Sequence, residues 1–232
     1  MIIDNLNQIR YRMRAAALRA KRDPDALRLV AVTKYASLPA VQELLDSGLV
    51  AEVGENRVQN AEKKRAVLGR QGVSIKWRML GHLQTNKAKK AVEVFDAVDS
   101  VDGEKIAAAL DAALAGSQAK YPVMVQVKLS DRATQSGVAP AELGALLEAL
   151  EKYRRLRVEG LMGIAPDFES LEAVRPSFRT LRGLRDRHLP GGLLSMGMSR
   201  DFEIAIEEGA DLVRIGAQIF FDPSQASMGA PA

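Results

Sequence analysis

Short apolar runs alternate with longer amphipathic stretches along almost the whole chain. Eight runs read as strands: Leu27–Lys34, Leu49–Glu55, Ile75–Leu83, Phe95–Val101, Tyr121–Leu129, Val158–Ile164, Leu193–Met198 and Leu212–Phe220. Several are nearly continuous in apolar residues, the pattern of strands covered on both faces. Between them the spacing predicts helices over Leu38–Ser47, Arg57–Leu68, Asn86–Glu93, Gly103–Ala115, Pro140–Tyr153, Leu171–His188 and Arg200–Glu208. Another helix precedes the first strand, with Ile3, Leu6, Ile9, Met13, Ala16 and Ala17 on one face. This alternation predicts an α/β fold, a single-domain (β/α)8 TIM barrel over residues 1–222 with an additional N-terminal helix. An open doubly wound sheet is the alternative that periodicity leaves standing. No helical pattern follows the eighth run, and the N-terminal helix is expected to cover that gap. Residues 223–232 are small, polar or Pro/Gly-containing and read as a flexible tail.

The length of 232 residues is enough for one substantial core, and 47% hydrophobic with 27% charged residues is ordinary for a globular chain. The absence of cysteine excludes disulfides, thiol nucleophiles and thiolate metal sites. His82 and His188 lie far apart, so no metal site is expected. Met1-Ile2-Ile3-Asp4 lacks the basic start and apolar run of a signal peptide, and no segment reaches membrane-spanning length. Cytoplasmic residence is therefore expected. A net charge of +4 favours anionic partners, including phosphate-bearing small molecules. The basic groups Lys63-Lys64-Arg65, Lys87 with Lys89-Lys90, and Arg182, Arg185 and Arg187 fall on helical stretches, and they read as solvated helix faces rather than a nucleic-acid surface.

In a barrel, functional groups collect where strands end. The first strand ends in Val32-Thr33-Lys34. A lysine closing an apolar strand is expected to be partly desolvated, which frees its amine for Schiff-base chemistry, although an exposed or snorkelling strand end is the commoner role. The second strand runs into Gly54-Glu55-Asn56-Arg57, where Asn56 either caps the next helix or contacts a ligand. After the third, Gly81-His82-Leu83-Gln84-Thr85-Asn86-Lys87 is amide-rich and suited to orienting a ligand. Ser199, in Ser195-Met196-Gly197-Met198-Ser199, sits at an expected helix N-cap, where it either serves as a plain cap or helps to bind an anion. Asp201 and Glu203 would repel a phosphate if they pointed inward. Arg214, among apolar neighbours in the eighth strand, needs a structural carboxylate or a ligand atom as acceptor. Gly216 would let backbone approach a phosphate.

Taken in order, Leu29-Val30-Ala31-Val32-Thr33-Lys34, Gly54-Glu55-Asn56-Arg57-Val58-Gln59, Gly81 to Lys87, Gly160-Leu161-Met162, Leu194 to Ser199 and Val213-Arg214-Ile215-Gly216 resemble the pyridoxal phosphate homeostasis protein family. The blocks span residues 29 to 220. The resemblance implies a barrel like the N-terminal domain of alanine racemase that binds pyridoxal 5′-phosphate (PLP). Lys34 would carry the Schiff base. Ser199 and the backbone N–H groups of Gly216 and Ala217 would hold the phosphate. Arg214 would face the pyridine nitrogen, and Asn56 would lie close to the ring. It implies a part in intracellular vitamin B6 balance, no dedicated catalytic reaction and hence no catalytic residue. PLP and related B6 vitamers are the expected ligands of a monomer, with apo PLP enzymes as candidate recipients and no nucleic-acid or membrane partner.

The alternative is a PLP-dependent amino-acid racemase of low activity. Two-base proton transfer needs groups on both ring faces, and Tyr35 is the one tyrosine expected beside the site. Several positions depart from the family pattern. Ala217 replaces a threonine, which removes a phosphate contact unless Gln218 compensates. Trp77-Arg78-Met79 stands where Trp-His-Phe is usual, Arg57 stands where a tyrosine is usual, and Phe220-Phe221-Asp222 lacks the usual glycine after its phenylalanine.

Overall fold

The computed structural model describes residues 1–130, 135–167 and 169–220. Eight parallel strands follow one another around a closed barrel. They are β1 (Arg28–Val32), β2 (Glu52–Glu55), β3 (Lys76–Met79), β4 (Ala97–Val101), β5 (Tyr121–Lys128), β6 (Leu156–Ile164), β7 (Leu193–Ser195) and β8 (Leu212–Ile215). Pairing of β1 with β8, from Arg28 opposite Leu212 to Ala31 opposite Ile215, closes the ring and rules out the open sheet. Helices α1 (Ile2–Arg19), α2 (Leu38–Asp46), α3 (Val58–Ser74), α4 (Ala88–Val94), α5 (Glu104–Ala113), α6 (Leu143–Leu150), α7 (Arg175–His188), α8 (Phe202–Glu207) and α9 (Ala217–Phe220) surround it. The expected 223–232 tail lies outside the described residues.

Alternate strand residues divide into two apolar layers. Val30, Leu80, Met124, Met162 and Leu212 pack inside the barrel, with Val32, Ile164 and Leu193 beside them. Ala31, Val53, Trp77, Met79 and Val98 face outward into the layer shared with the helices. Polar groups also occupy the interior. Arg78, fully buried, donates to Asp99 through Nε at 2.7 Å and Nη2 at 2.6 Å, and to Glu52 through Nη1 at 3.0 Å. Arg28 Nε donates to the other Glu52 oxygen at 2.7 Å.

As expected, α1 covers the closing seam. Arg22 donates to the carbonyls of Ile206 and Ala210 and to Asp211. Asn5 donates to the Ile219 carbonyl at 3.0 Å, and Arg12 pairs with Glu203 at 2.9 Å. Its buried face includes Ile2 in place of the expected Ile3, which is 43% exposed.

Strand ends differ most from expectation. β8 stops at Ile215 because the Gly216 carbonyl accepts from the N–H groups of Ile219 and Phe220, turning the last apolar run into α9. An apolar run that short has no period to distinguish strand from helix. β7 ends at Ser195, two residues before Gly197 adopts φ +92°. β3 ends at Met79, before Gly81, where a Cβ would lie 2.3 Å from the Asn56 carbonyl oxygen. Lys64, expected on a solvated face of α3, is instead buried at 8% exposure against Glu55.

Candidate functional site

The strands deliver their C-terminal ends to one mouth, and a cavity of about 730 Å³ opens there. Lys34, Asn56, Ser199, Arg214, Gly216 and Ala217 all line it. Six positions drawn from four strand ends thus meet at one place. The floor comes from the inner apolar layer, through Val32, Leu80, Met162 and Ile164. Leu80 and Met162 were not singled out as site residues in the sequence, although their inward parity in the third and sixth apolar runs was the available signal.

Lys34 follows β1 at the first corner of a turn, which the Ala36 N–H closes by donating to the Thr33 carbonyl at 2.9 Å. Its side chain is exposed, not partly desolvated, because the turn carries it past the strand end to the rim. Its Nζ lies 5.0 Å from the centre of the Tyr35 ring, itself 90% exposed. Asn56 is half-buried beyond β2 and does not cap α3; Arg57 takes the N-cap position without a side-chain bond.

Arg214 is 5% exposed. Its Nη1 donates to Ser195 Oγ and its Nη2 to the Gly163 carbonyl, each at 2.8 Å. Both acceptors are neutral. Among the described residues no carboxylate forms an ion pair with it, so a buried cation faces the cavity with donors to spare. Burial pulls its pKa down to about 10, opposed by Asp99 and Asp201, and it keeps its proton at neutral pH. A buried guanidinium with neutral partners suits a ligand that brings an acceptor, which fits the ring nitrogen of PLP.

The phosphate-binding candidates follow the adjacent ends of β7 and β8. Gly197 must be glycine, since its φ is +92° and a Cβ would lie 2.5 Å from that of Ala205. Asp201, not Ser199, occupies the N-cap of α8, and its Oδ1 accepts from the Met198 N–H at 2.6 Å. Ser199 is thereby left in the loop, its backbone pinned one residue before it. Burial raises the Asp201 pKa, against the Met198 bond and the Arg214 charge. Glu203 turns away to Arg12. At the neighbouring end of β8, a Cβ on Gly216 would lie 2.8 Å from the Val32 carbonyl oxygen, so the start of α9 is pressed against β1. The N–H groups of Ala217 and Gln218, in the first turn of α9, have no intrahelical acceptor. The Gln218 side chain accepts from Arg12 at 3.4 Å on the α1 side, so it does not replace the missing threonine hydroxyl.

Beyond Leu80, Gly81 to Lys87 contribute no lining residue to this cavity. Gln84, Thr85 and Asn86 border a separate groove beside α5, together with His82, whose Nδ1 lies 3.1 Å from Asp102 Oδ2. The amide-rich loop therefore orients nothing in the cavity of Lys34.

The family model described as alanine racemase, N-terminal domain, matches residues 5–223. A pyridoxal phosphate homeostasis protein of Pseudomonas aeruginosa is 39% identical over 232 residues, covering 100% of this chain and 98% of that one. The structure of PipY from Synechococcus elongatus with PLP bound superposes with a TM-score of 0.77 at 36% identity, covering 90% of this chain and 99% of that one. An alanine racemase from Clostridium difficile, 15% identical, covers 95% of this chain and 56% of that one with a TM-score of 0.69, a likeness of fold alone.

Proposed function

Because the chain belongs to the alanine racemase N-terminal domain family, and within it to the pyridoxal phosphate homeostasis proteins, we propose that it holds PLP as a Schiff base on Lys34 and takes part in balancing the cellular supply of that cofactor. The observation that carries the reading is one cavity joining a primary amine, a buried guanidinium with no carboxylate partner among the described residues, and two turns that offer backbone N–H groups. When bound, PLP supplies an aldehyde that condenses with amines and a ring that can withdraw electrons.

The residues favour holding over turnover. Arg214 can only donate, so were it to face the ring nitrogen it would favour the unprotonated form of that atom, and the ring would be a weaker electron sink. Tyr35 is the tyrosine among the described lining residues, and it stands in solvent rather than fixed over the cavity. Proton transfer from two faces needs a second positioned group. Alanine racemisation by the purified protein is accordingly expected at background; robust turnover would favour the racemase reading. Lys34 at an exposed rim suits an amine that exchanges its aldehyde with recipients such as apo PLP enzymes.

The direct test is absorbance titration with PLP followed by borohydride reduction and peptide mapping. One PLP fixed at Lys34 is expected, and a protein that takes up none, or fixes it elsewhere, refutes the reading. Ala217→Thr checks the phosphate wall. A restored hydrogen bond to a charged group contributes about 1.5–3 kcal/mol, so affinity is expected to rise about tenfold or more. Unchanged affinity would mean that the phosphate does not sit at the start of α9.

A further inference from the structure

The strongest unexplained feature outside the cavity is a buried charge pair directly behind it. Lys64 reaches from α3 and donates through Nζ to Glu55 Oε1 at 2.6 Å and to the Thr33 carbonyl. Glu55 is fully buried and Lys64 is 8% exposed. The same Glu55 oxygen accepts from Thr33 Oγ1 at 2.9 Å, and Oε2 accepts from the Asn56 N–H at 3.3 Å. None of Thr33, Glu55 and Lys64 lines the cavity. By strand parity Thr33 and Glu55 face outward, into a layer where Ala31, Val53, Val58 and Ala61 are buried.

We propose that Lys64 and Glu55 are positioning residues for the cofactor amine. They clamp the turn that presents Lys34 to the end of β2 that presents Asn56. This rests on the reading that Lys34 carries PLP. The Thr33 carbonyl accepts from Lys64 and also from the Ala36 N–H, and the second bond closes the turn around Lys34. A single ammonium group therefore fixes the first residue of the turn. Glu55 fixes the adjacent strand end through the Asn56 amide. Each arm reaches its site residue through one peptide link.

Stability alone does not account for this arrangement. A buried ion pair in an apolar layer contributes little net stability, since desolvation offsets the attraction, and apolar replacement of both partners is often neutral. Placement is a different matter. Condensation of the Lys34 amine with an aldehyde forms one C=N bond, loses one water and requires the nitrogen within bonding approach of a carbonyl carbon already held by its phosphate. The Lys34 side chain is exposed, and little besides its own turn restrains it. A misplacement of about 1 Å costs on the order of a hundredfold in rate in comparable situations.

The test compares wild type, Lys64→Met/Glu55→Gln, which removes both charges, and Lys64→Arg, which keeps the charge but moves it. Three quantities are read: melting temperature, binding of 4′-deoxypyridoxine phosphate, which lacks the aldehyde, and the rate of the borohydride-trapped PLP adduct. In the double variant, melting temperature and deoxypyridoxine phosphate affinity are expected to stay near wild type while adduct formation slows by about tenfold or more. Lys64→Arg is expected to recover part of that rate. Adduct formation within about twofold of wild type would overturn the inference, as would a parallel loss of all three quantities, which would mark the pair as structural. If the double variant does not fold, Lys64→Arg decides alone: full wild-type rate at unchanged melting temperature overturns the proposal. A wild type that traps no PLP at Lys34 sinks the functional reading itself, which separates the two failures.

Discussion

Lys34→Ala is expected to abolish the borohydride-reducible PLP adduct while leaving weaker, reversible binding in place. The covalent bond needs a primary amine, and the cavity offers no second lysine among its described lining residues. Lys64, which reaches the Thr33 carbonyl, does not line the cavity, and its Nζ is committed to that carbonyl and to Glu55. The remaining contacts do not depend on Lys34. Arg214 keeps its place through Ser195 and Gly163, and the loop before α8 keeps its shape through Asp201 and Gly197. Affinity for PLP should therefore fall on the order of a hundredfold, about 2.8 kcal/mol, rather than vanish. Binding of 4′-deoxypyridoxine phosphate should be nearly unchanged. Stability should hardly move, since Lys34 is exposed and makes no ion pair among the described residues. A reducible adduct that persists in Lys34→Ala would transfer the chemistry to another amine.

The barrel, and Lys34 and Asn56 as candidates at its mouth, follow from local order, whereas Ala217 entered only with the family resemblance. Strand ends in a parallel barrel point to one mouth, so any polar residue just beyond an apolar run is a site candidate wherever the run lies in the chain. Three features were hidden for three physical reasons. Lys64 sits in a run of charges on a helix, and nothing in Lys63-Lys64-Arg65 says which one turns inward; that is decided by Glu55, nine residues away in sequence and on a strand. Ser199 and Asp201 both suit an N-cap, and the choice fell to Asp201 because Gly197 bends the loop so that the Met198 N–H meets its carboxylate. The segment Ala217–Phe220 is too short to show a period, and the Gly216 carbonyl made it helical. In each case a partner brought by the fold settled an ambiguity that composition left open.

Arg78→Met is expected to cost far more stability than Lys34→Ala at the cavity. Arg78 is fully buried inside the barrel and neutralises two carboxylates, Asp99 with two hydrogen bonds and Glu52 with one. Methionine can fill the volume but leaves Asp99, fully buried, without the guanidinium that pairs with it. Removing one member of a buried pair typically costs about 3–5 kcal/mol. For a domain of this size that corresponds to roughly 6–20 °C in melting temperature. The loss should shrink in acid, and the sign follows from Glu52. Burial alone would raise its pKa, but Arg78 and then Arg28 hold it below the ordinary 4.5. The stability that Glu52 contributes is complete above that ordinary value and disappears as pH falls through the lower folded-state value. Wild type therefore loses this contribution on acidification, whereas Arg78→Met has already lost much of it. Denaturant unfolding at neutral pH and near pH 4 measures both halves. A gap between the proteins that widens in acid would mean that the Arg78 charge is not what stabilises the barrel interior.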